Sequence, residues 1–293
     1  MSAYLEIFWN KLLEYPVFLF KEIGNVHPGN FLYWLTGISL FFFLAEAFFP
    51  WRREQRHPRE DFYLDAFYMY FNMFLVPMAG VFAFSHAFEA AFRDLLGAFG
   101  IVRLDALSVR SWPGWAQLLF LFIARDFIHW NVHRLLHRVP FLWEFHKVHH
   151  SVRRMGFAAH LRYHWTENIF YRALEYIPLS LIGFGITDFF LAYVIGLGIG
   201  HFNHSNVKLP LGPLRYVFNN PQMHIWHHAR SLPPEKRYGV NFGLSLSLWD
   251  YLFRTAYLPR DGRDETLGFP GDERFPRGFF GQIVHGFRIS PGK

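Results

Sequence analysis

Residues 111–150 read SWPGWAQLLFLFIARDFIHWNVHRLLHRVPFLWEFHKVHH. This stretch begins with an uncharged apolar run at 111–124 and continues into His133 and His137, which are four residues apart. Side chains four residues apart lie on one face of an α-helix, one turn from each other. The sequence therefore predicts a single rigid helix that leaves an apolar environment and presents two imidazoles on one face.

Histidine occurs in two further groups that share the pattern His-x-x-His-His. At this composition a random chain would contain the pattern about 0.06 times, so histidines scattered on solvated helix faces do not explain two copies. Neutral imidazole is the commonest side-chain metal ligand, and a His-bound zinc ion takes four or fewer protein ligands. The eight histidines of the three groups therefore predict a centre with two metal ions. They are His133 and His137, then His146, His149 and His150, then His224, His227 and His228.

The composition is typical of a membrane protein. Hydrophobic residues make up 52% of the chain and charged residues only 18%, whereas about 25% charged residues is usual in soluble proteins. The apolar residues are clustered, and the first two clusters have the length that a helix needs to cross a bilayer. The last cluster is too long for one straight span, so we expect a tilted or shallow helical hairpin that turns near Gly185 to Asp188. For each cluster the alternative is a buried core helix. The clusters are 31–49, 66–88, 111–124 and 176–202.

Four arginines follow the first apolar cluster directly and orient the predicted topology. Because basic residues favour the cytoplasmic side of a membrane, the loop at 52–59 is expected there. The second span then places 89–110 on the far side, and the third span and the hairpin return all three histidine groups to the cytoplasm. The membrane would be the cytoplasmic membrane of a bacterium or the endoplasmic reticulum of a eukaryote. The arginines are Arg52, Arg53, Arg56 and Arg59.

The expected fold class is an all-α integral membrane protein with about four transmembrane or hairpin helices and a cytosolic helical cap that holds the dimetal site. Residues 1–110 are assigned to an N-terminal membrane region, with an interfacial amphipathic helix at 4–20 followed by two spans. Residues 111–257 form the predicted catalytic domain, and 258–293 a cytosolic C-terminal tail.

The residue types narrow the chemistry of the predicted centre. The chain has no cysteine, which excludes disulfides, thiolate ligands and iron–sulfur clusters, so electrons must come from another molecule. The net charge of +6 arises from basic residues that flank apolar clusters, so nucleic acid is not an expected partner. Imidazole suits zinc, copper, iron and nickel. A zinc hydrolase would normally carry a motif such as His-Glu-x-x-His, which is missing here, and an all-histidine site beside an apolar environment favours iron and dioxygen.

Several motifs, in order, resemble the membrane fatty acid hydroxylase / sterol desaturase superfamily. The resemblance covers roughly 120–257 and begins with the histidine-bearing segments 126–137 and 142–151. Two positions depart from the family pattern: His129 stands where an aromatic residue is usual, and Trp165 replaces a proline. The later motifs are Arg162-Tyr-His164-Trp-Thr-Glu167 (similar to Arg-x-His-Pro-x-Glu), His204-Ser-Asn206, Pro221-Gln-Met-His224-Ile-Trp-His227-His228, and a closing signature at 238–243, 249–250 and 253–255.

The resemblance implies a non-haem centre with two irons, for which zinc or another metal can substitute in purified protein, and O2-dependent hydroxylation or desaturation of a lipid. Five polar residues are placed to orient imidazoles through the other ring nitrogen, with ion pairs or helix caps as the alternative role. His160 and His201 are weaker ligand candidates. The polar residues are Asp126, Glu144, Glu167, Asn206 and Asp250. The implied ligands are His133, His137, His146, His149, His150, His164, His204, His224, His227 and His228.

The predicted function is a membrane-bound monooxygenase that inserts one oxygen atom of O2 into an alkyl or sterol C–H bond. Its electron donor would be a cytochrome b5-like protein or a ferredoxin with its reductase. Desaturation on the same fold is an alternative, because metal ligands do not decide the fate of a substrate radical. A zinc-dependent hydrolase is less consistent with the missing carboxylate motif. A haem or metal carrier, the non-enzymatic alternative, would be expected to line its spans with histidine.

Overall fold

The computed structural model describes residues 3–100 and 109–287. Within these ranges the chain is helical, and extended pairing is limited to three isolated bridges. The all-α class predicted from the sequence is therefore confirmed. The α-helices are α1 (Ala3–Ile23), α2 (Phe31–Phe48), α3 (Phe62–Tyr70), α4 (Phe82–Ala98), α5 (Gly114–Arg138), α6 (Pro140–His150), α7 (Trp165–Leu181), α8 (Phe189–His204), α9 (Pro221–His227), α10 (Leu248–Leu252) and α11 (Phe279–Ile283).

Helix α2 is the one helix in the described ranges that is long and apolar enough to cross a membrane by itself. The segments 62–80 and 82–98 pass the same test together but are bent by 59°. The bend lies at Gly80, whose φ of 106° is in the left-handed region that favours glycine. The cluster at 176–202 is divided between α7 and α8 by a turn close to its predicted position. The finer prediction of about four transmembrane or hairpin helices stays a prediction.

Helix α5 is the rod predicted from the opening stretch. It has 25 residues and is therefore about 37 Å long. Trp130 and Leu136 in its second half are almost inaccessible to solvent. The helix ends at Arg138, with Val139 as its C-cap, because Pro140, which lacks an N–H and has a fixed φ, begins α6 directly afterwards. This sharp corner folds α6 back on α5, so that the histidines of α5 face those of α6.

Helix α8 lies at the centre of the helical array, where it contacts α2, α5, α9 and the short helical turn at 157–161. Gly200 permits the last of these contacts, because a Cβ at this position would collide with the His160 ring. Asn220 is the N-cap of helix α9, and its side-chain oxygen accepts a hydrogen bond from the Met223 N–H at 3.1 Å. These local features bring the histidines of α8 and α9 towards those of α5 and α6.

Residues 258–287, predicted as a tail, pack on the rest of the chain. Leu267 joins Trp226 in one buried cluster, and Phe275 joins Tyr68 of α3 in another. Residues 258–287 therefore cover part of the helical core. Parts of the predicted far-side stretch and of the predicted tail, 101–108 and 288–293, lie outside the described residues.

Candidate metal centre

Nine histidines of the described residues converge in two groups. Within each group the candidate ligand nitrogens lie within 4.8 Å of one another. Eight of the nine side chains are buried, and His137 is partly exposed. The first group is His133, His137, His146, His150 and His227, and the second group is His149, His204, His224 and His228.

Each His-x-x-His-His motif serves both groups. The two histidines four residues apart on α6 belong to the first group, and His149 belongs to the second. In the motif of α9 the pair four residues apart belongs to the second group, and His227 belongs to the first. The motifs therefore interlock, and the groups are neighbours: the stacked rings of His150 and His228 have centroids 4.4 Å apart.

The Nε2 atoms of both groups crowd one another in the interior. The Nε2 atom of His137 is buried without a hydrogen-bond partner, which is costly unless another species satisfies it. Converging lone pairs and an unpartnered buried nitrogen fit a metal ion in each group, because neutral imidazole nitrogen is a good ligand for transition metals. The Nε2–Nε2 separations are 3.2 Å for His133 and His146, 3.1 Å for His150 and His227, 3.4 Å for His149 and His204, 3.0 Å for His204 and His224, and 3.2 Å for His224 and His228.

The other ring nitrogen, Nδ1, decides the tautomer of several imidazoles. Four rings have Nδ1 beside a backbone carbonyl oxygen, which can only accept a hydrogen bond. Nδ1 therefore carries the proton and donates it, which leaves the lone pair of Nε2 free for a metal. The pairs are His133 with Phe242 (2.8 Å), His149 with Arg162 (3.1 Å), His204 with Gly200 (2.8 Å) and His227 with Val240 (2.7 Å).

Burial keeps these imidazoles neutral. It lowers the pKa of His149 to about 4 and the pKa of His227 to about 3. Burial also holds the pKa of His133 well below its usual range, and the neighbouring imidazoles add to the effect. Neutral imidazole is the form that binds a metal, so these ligands need to lose no proton near pH 7.

Glu167 is the predicted orienting carboxylate that contacts one of the nine imidazoles. Its Oε2 accepts a hydrogen bond from His146 Nδ1 at 2.9 Å, and its Oε1 accepts one from the backbone N–H of His164 at 3.2 Å. Burial raises the pKa of Glu167 to about 8. A cation held by His146 would oppose this rise and favour the charged carboxylate.

Asp126 and Asp250 act on a loop and not on an imidazole. Asp250 accepts a hydrogen bond from the Phe242 N–H at 2.9 Å, and Asp126 accepts one from the Ser245 N–H at 2.9 Å. Both carboxylates are buried and fix the loop between α9 and α10 against α5. They affect the site indirectly, because this loop supplies the Phe242 oxygen that orients His133.

The other two predicted orienting residues, Glu144 and Asn206, contact none of the nine rings. Glu144 pairs with Lys147 at 2.5 Å and with His285 at 3.2 Å. The Asn206 amide accepts a hydrogen bond from the Arg52 N–H at 2.9 Å and donates one to the Arg52 oxygen at 3.2 Å. Glu144 therefore forms ion pairs, and Asn206 bonds to the backbone of the loop after α2.

His164 is the predicted ligand that lies in neither histidine group. Its Nε2 lies 2.8 Å from the Ile283 oxygen, and its Nδ1 accepts a hydrogen bond from the Thr166 N–H as the N-cap of α7. Both ring nitrogens are therefore engaged. Trp165, which replaces the family proline, donates its indole N–H to the same Ile283 oxygen at 3.1 Å and holds the C-terminal segment at this cap.

His160 and His201 lie beside the second group without joining it. Their Nδ1 atoms are 2.9 Å apart, and His201 Nε2 lies 3.1 Å from the Ser39 hydroxyl on α2. The His160 ring is 5.3 Å from the ring of His204, centroid to centroid. The two residues connect the candidate membrane helix to a candidate ligand.

A buried ion pair about two turns before His133 on α5 was not anticipated from the sequence. Glu175 accepts a hydrogen bond from Arg125 Nε at 2.8 Å and lies 2.8 Å from His129 Nδ1. The sequence did carry a signal for this pair, since Arg125 directly follows the apolar cluster 111–124 and Glu175 directly precedes the cluster 176–202. A charge buried at the edge of such a cluster needs a partner. The pairing also gives His129, the departure from the family pattern, a role outside the metal groups.

Residues 118–255 match the protein-family model described as fatty acid hydroxylase. The ornithine lipid hydroxylase OlsE of Rhizobium tropici is 32% identical over 65% of this chain and 58% of its own length. The alkylglycerol monooxygenase of Homo sapiens is 32% identical over 46% of this chain and 29% of its own length. The very-long-chain aldehyde decarbonylase GL1-10 of Oryza sativa subsp. japonica is 27% identical over 48% of this chain and 46% of its own length. No solved structure matches the chain at a significant level.

The matched segment contains every member of the two histidine groups. The chain spans less than two thirds of the length of each of these relatives. The match nevertheless confirms the resemblance drawn from the ordered histidine motifs. Residues 118–255, which hold both histidine groups, are therefore similar to the fatty acid hydroxylase family.

Proposed function

We propose that this protein is a membrane-bound oxidoreductase that uses O2 and two iron ions to hydroxylate an alkyl or sterol C–H bond of a lipid. The observation that carries the proposal is the pair of neighbouring, buried imidazole groups within a fatty acid hydroxylase segment. Two relatives are named as a lipid hydroxylase and an alkylglycerol monooxygenase, which supports a lipid substrate.

The nine grouped histidines would hold the two ions, and bound iron supplies the activation of O2 that insertion into a C–H bond requires. The protein's own residues prepare the site by keeping the imidazoles neutral and aimed, and by excluding water. The Phe242 ring, for example, packs 5.7 Å from the His133 ring and 5.1 Å from the His137 ring. A dry site strengthens every electrostatic interaction inside it.

The balanced reaction fixes what the protein must receive from outside. A lipid R–H, one O2, two electrons and two protons give R–OH and one water. One C–H bond breaks and one C–O bond forms, while the second oxygen atom is reduced to water. Because the chain has no cysteine for an iron–sulfur cluster or a redox disulfide, the two electrons must come from a separate donor. We assign this role to a cytochrome b5-like protein or to a ferredoxin with its reductase.

An apolar groove between α2 and α8 is our candidate site for the alkyl part of the substrate. Its volume is about 520 Å³, and Gly37 and Gly198 lie on its walls. A Cβ at either glycine would meet nothing within 4 Å, so both leave space open. Phe42, which also lines the groove, packs 6.1 Å from the His201 ring beside the second histidine group. Helix α2 is the candidate membrane helix, so a lipid chain could enter from the bilayer.

We also propose that the metal centre lies on the cytoplasmic side of the membrane. Support comes from the arginine-rich loop after α2, which packs against the histidine-bearing part of the chain. The Trp51 N–H donates to the Asn206 oxygen at 2.7 Å, and the Arg52 guanidinium donates to the Met155 oxygen at 2.9 Å. Basic loops favour the cytoplasmic side, so the adjoining histidine groups would lie there too.

Isotope labelling tests the proposed reaction. The full chain, reconstituted in lipid nanodiscs with iron and an electron-donor system, is given ornithine lipids, alkylglycerol lipids or sterols. Under 18O2 the product should gain one labelled hydroxyl, and in H2 18O with unlabelled O2 it should gain none. Oxygen arriving from water would indicate metal-assisted hydrolysis and contradict the proposal. A product lighter by two hydrogens, with no oxygen gained, would move the assignment to desaturation.

A further inference from the structure

A cluster of cationic side chains lies on the surface around Tyr238. We call it the basic surface; it consists of Arg134, Arg138, Lys236, Arg237 and Arg254. The guanidinium groups of Arg138 and Arg237 lie 5.9 and 4.7 Å from the centre of the Tyr238 ring. Tyr238 itself is 46% exposed. The residues come from the end of α5 and from two loops that are distant in sequence.

Contacts among these elements make the basic surface continuous. Lys236 Nζ donates to the Arg254 oxygen at 3.1 Å, which joins the two loops. Arg134 lies one turn before Arg138 on α5, and its guanidinium is 4.3 Å from the Trp130 ring centre. The Trp130 ring in turn packs 4.8 Å from Phe253, next to Arg254. The five cations therefore share one face of the molecule.

Little negative charge lies near the basic surface among the described residues, apart from the buried Asp250 carboxylate close to Arg134. Across the described residues none of the five side chains forms an ion pair, and the one exposed carboxylate in these segments is Glu235. Two exposed arginines elsewhere do have carboxylate partners, Arg230 with Glu273 at 2.8 Å and Arg263 with Glu54 at 2.5 Å. A surface of one sign attracts a partner of the opposite sign and speeds its association.

The basic surface lies over the most accessible ligand of the first histidine group. His137 is the partly exposed member of the nine, and it sits one residue before Arg138. Gly239, with a φ of 98°, follows Tyr238 and packs on the His137 imidazole. A Cβ at Gly239 would lie 2.9 Å from His137 Nδ1. One residue of backbone therefore separates the exposed Tyr238 from a candidate metal ligand.

We propose that the basic surface is the docking site for an acidic one-electron carrier protein, and that electrons enter the metal centre at His137. The inference rests on the proposed function, which needs two electrons for each turnover. A one-electron iron–sulfur or haem protein supplies them in two encounters, each oxidising one reduced carrier. Long-range attraction brings the carrier to the surface, and the short route through Gly239 favours this entry point over the eight buried histidines.

The experiment measures binding and reduction separately from lipid turnover. The probes are a plant-type [2Fe–2S] ferredoxin and the soluble haem domain of a cytochrome b5, both acidic proteins, with iron-loaded full chain in nanodiscs of neutral lipid. The test variant is Arg138→Glu/Arg237→Glu. The matched control is Arg274→Glu/Arg277→Glu, which reverses two exposed arginines on a different segment.

We expect at least one probe to bind the parent protein more weakly as salt is raised. The test variant should bind the same probe at least about tenfold more weakly than the parent does. The control variant should bind within about twofold of the parent on the same argument. Electron transfer from the reduced probe should slow in parallel, while reduction by dithionite, which needs no docking, should match the parent. Unchanged probe affinity in the test variant, or no binding of either probe at low salt, would overturn the proposal.

The rival occupant, an anionic membrane surface, is tested with the same variants. If the test variant loses binding to phosphatidylglycerol vesicles while its affinity for the carriers is unchanged, the basic surface binds lipid and the proposal is wrong. Failure of the proposed function has a different signature: carriers would still dock and reduce the metal through this surface, but no lipid would gain oxygen.

Discussion

At the scale of single residues, the candidate metal centre depends on what each imidazole contacts through Nδ1. Backbone oxygens hold four of the rings, so no side-chain substitution removes those contacts directly. His146 is different, because its Nδ1 faces the Glu167 carboxylate. The position of this ring is therefore the one that a single side chain controls.

Replacing Glu167 with Ala should weaken metal binding in the first group. Loss of such an orienting partner typically costs about 10- to 100-fold in metal affinity. Glu144→Ala is the matched control, since Glu144 lies on α6 but pairs with Lys147 and His285. Competition with a chelator, followed by elemental analysis, measures the change. Equal metal affinity in the two variants would show that Glu167 does not position His146.

His164 should behave as a helix cap. His164→Ala should lower the free energy of unfolding by about 1–2 kcal/mol, because the first turn of α7 loses a hydrogen-bond acceptor. His164→Asn, which keeps a capping side chain, should restore most of this loss. Both variants should keep the parent metal content. A loss of one metal ion from each variant would return His164 to the ligand set.

At the scale of elements, the sequence predicted which segments carry the grouped histidines but not how these histidines are shared between the two groups. Spacing places His146, His149 and His150 on one side of a helix, and the structure confirms that helix. Spacing alone cannot say which ring belongs to which group, because that depends on how α6 and α9 are rotated against each other. The N-cap role of His164 was missed for a different reason: the cap is local, since Nδ1 accepts from the Thr166 N–H two residues later, but the residue was assigned to the metal through the family resemblance.

The groove between α2 and α8 predicts a change in substrate preference. Gly198→Leu should fill part of it and shift turnover towards lipids with shorter alkyl chains, because each excluded methylene forfeits about 0.8 kcal/mol of burial. Gly97→Leu on α4 is the control, since a Cβ there also meets nothing within 4 Å. Competition between lipids of different chain length measures the preference. The same preference in both variants would place the substrate elsewhere.

At the scale of the whole molecule, the 52–59 loop and the histidine groups should lie on one side of the membrane. The chain has no native cysteine, so single cysteines can be labelled without background. Arg56→Cys and Lys147→Cys should react with an impermeant thiol reagent from the cytoplasmic side, and Leu96→Cys from the opposite side. Labelling of positions 96 and 147 from the same side would refute the proposed arrangement of spans.

Counting metal ions tests the central claim, that two interlocked histidine groups each hold a metal, most directly. Purified full chain loaded with iron should contain two ions per polypeptide by elemental analysis. His227→Ala removes a ligand of the first group and His224→Ala one of the second, so each variant should lose metal from one group and retain close to one ion. A parent content near one ion after loading, or no change in either variant, would contradict the account.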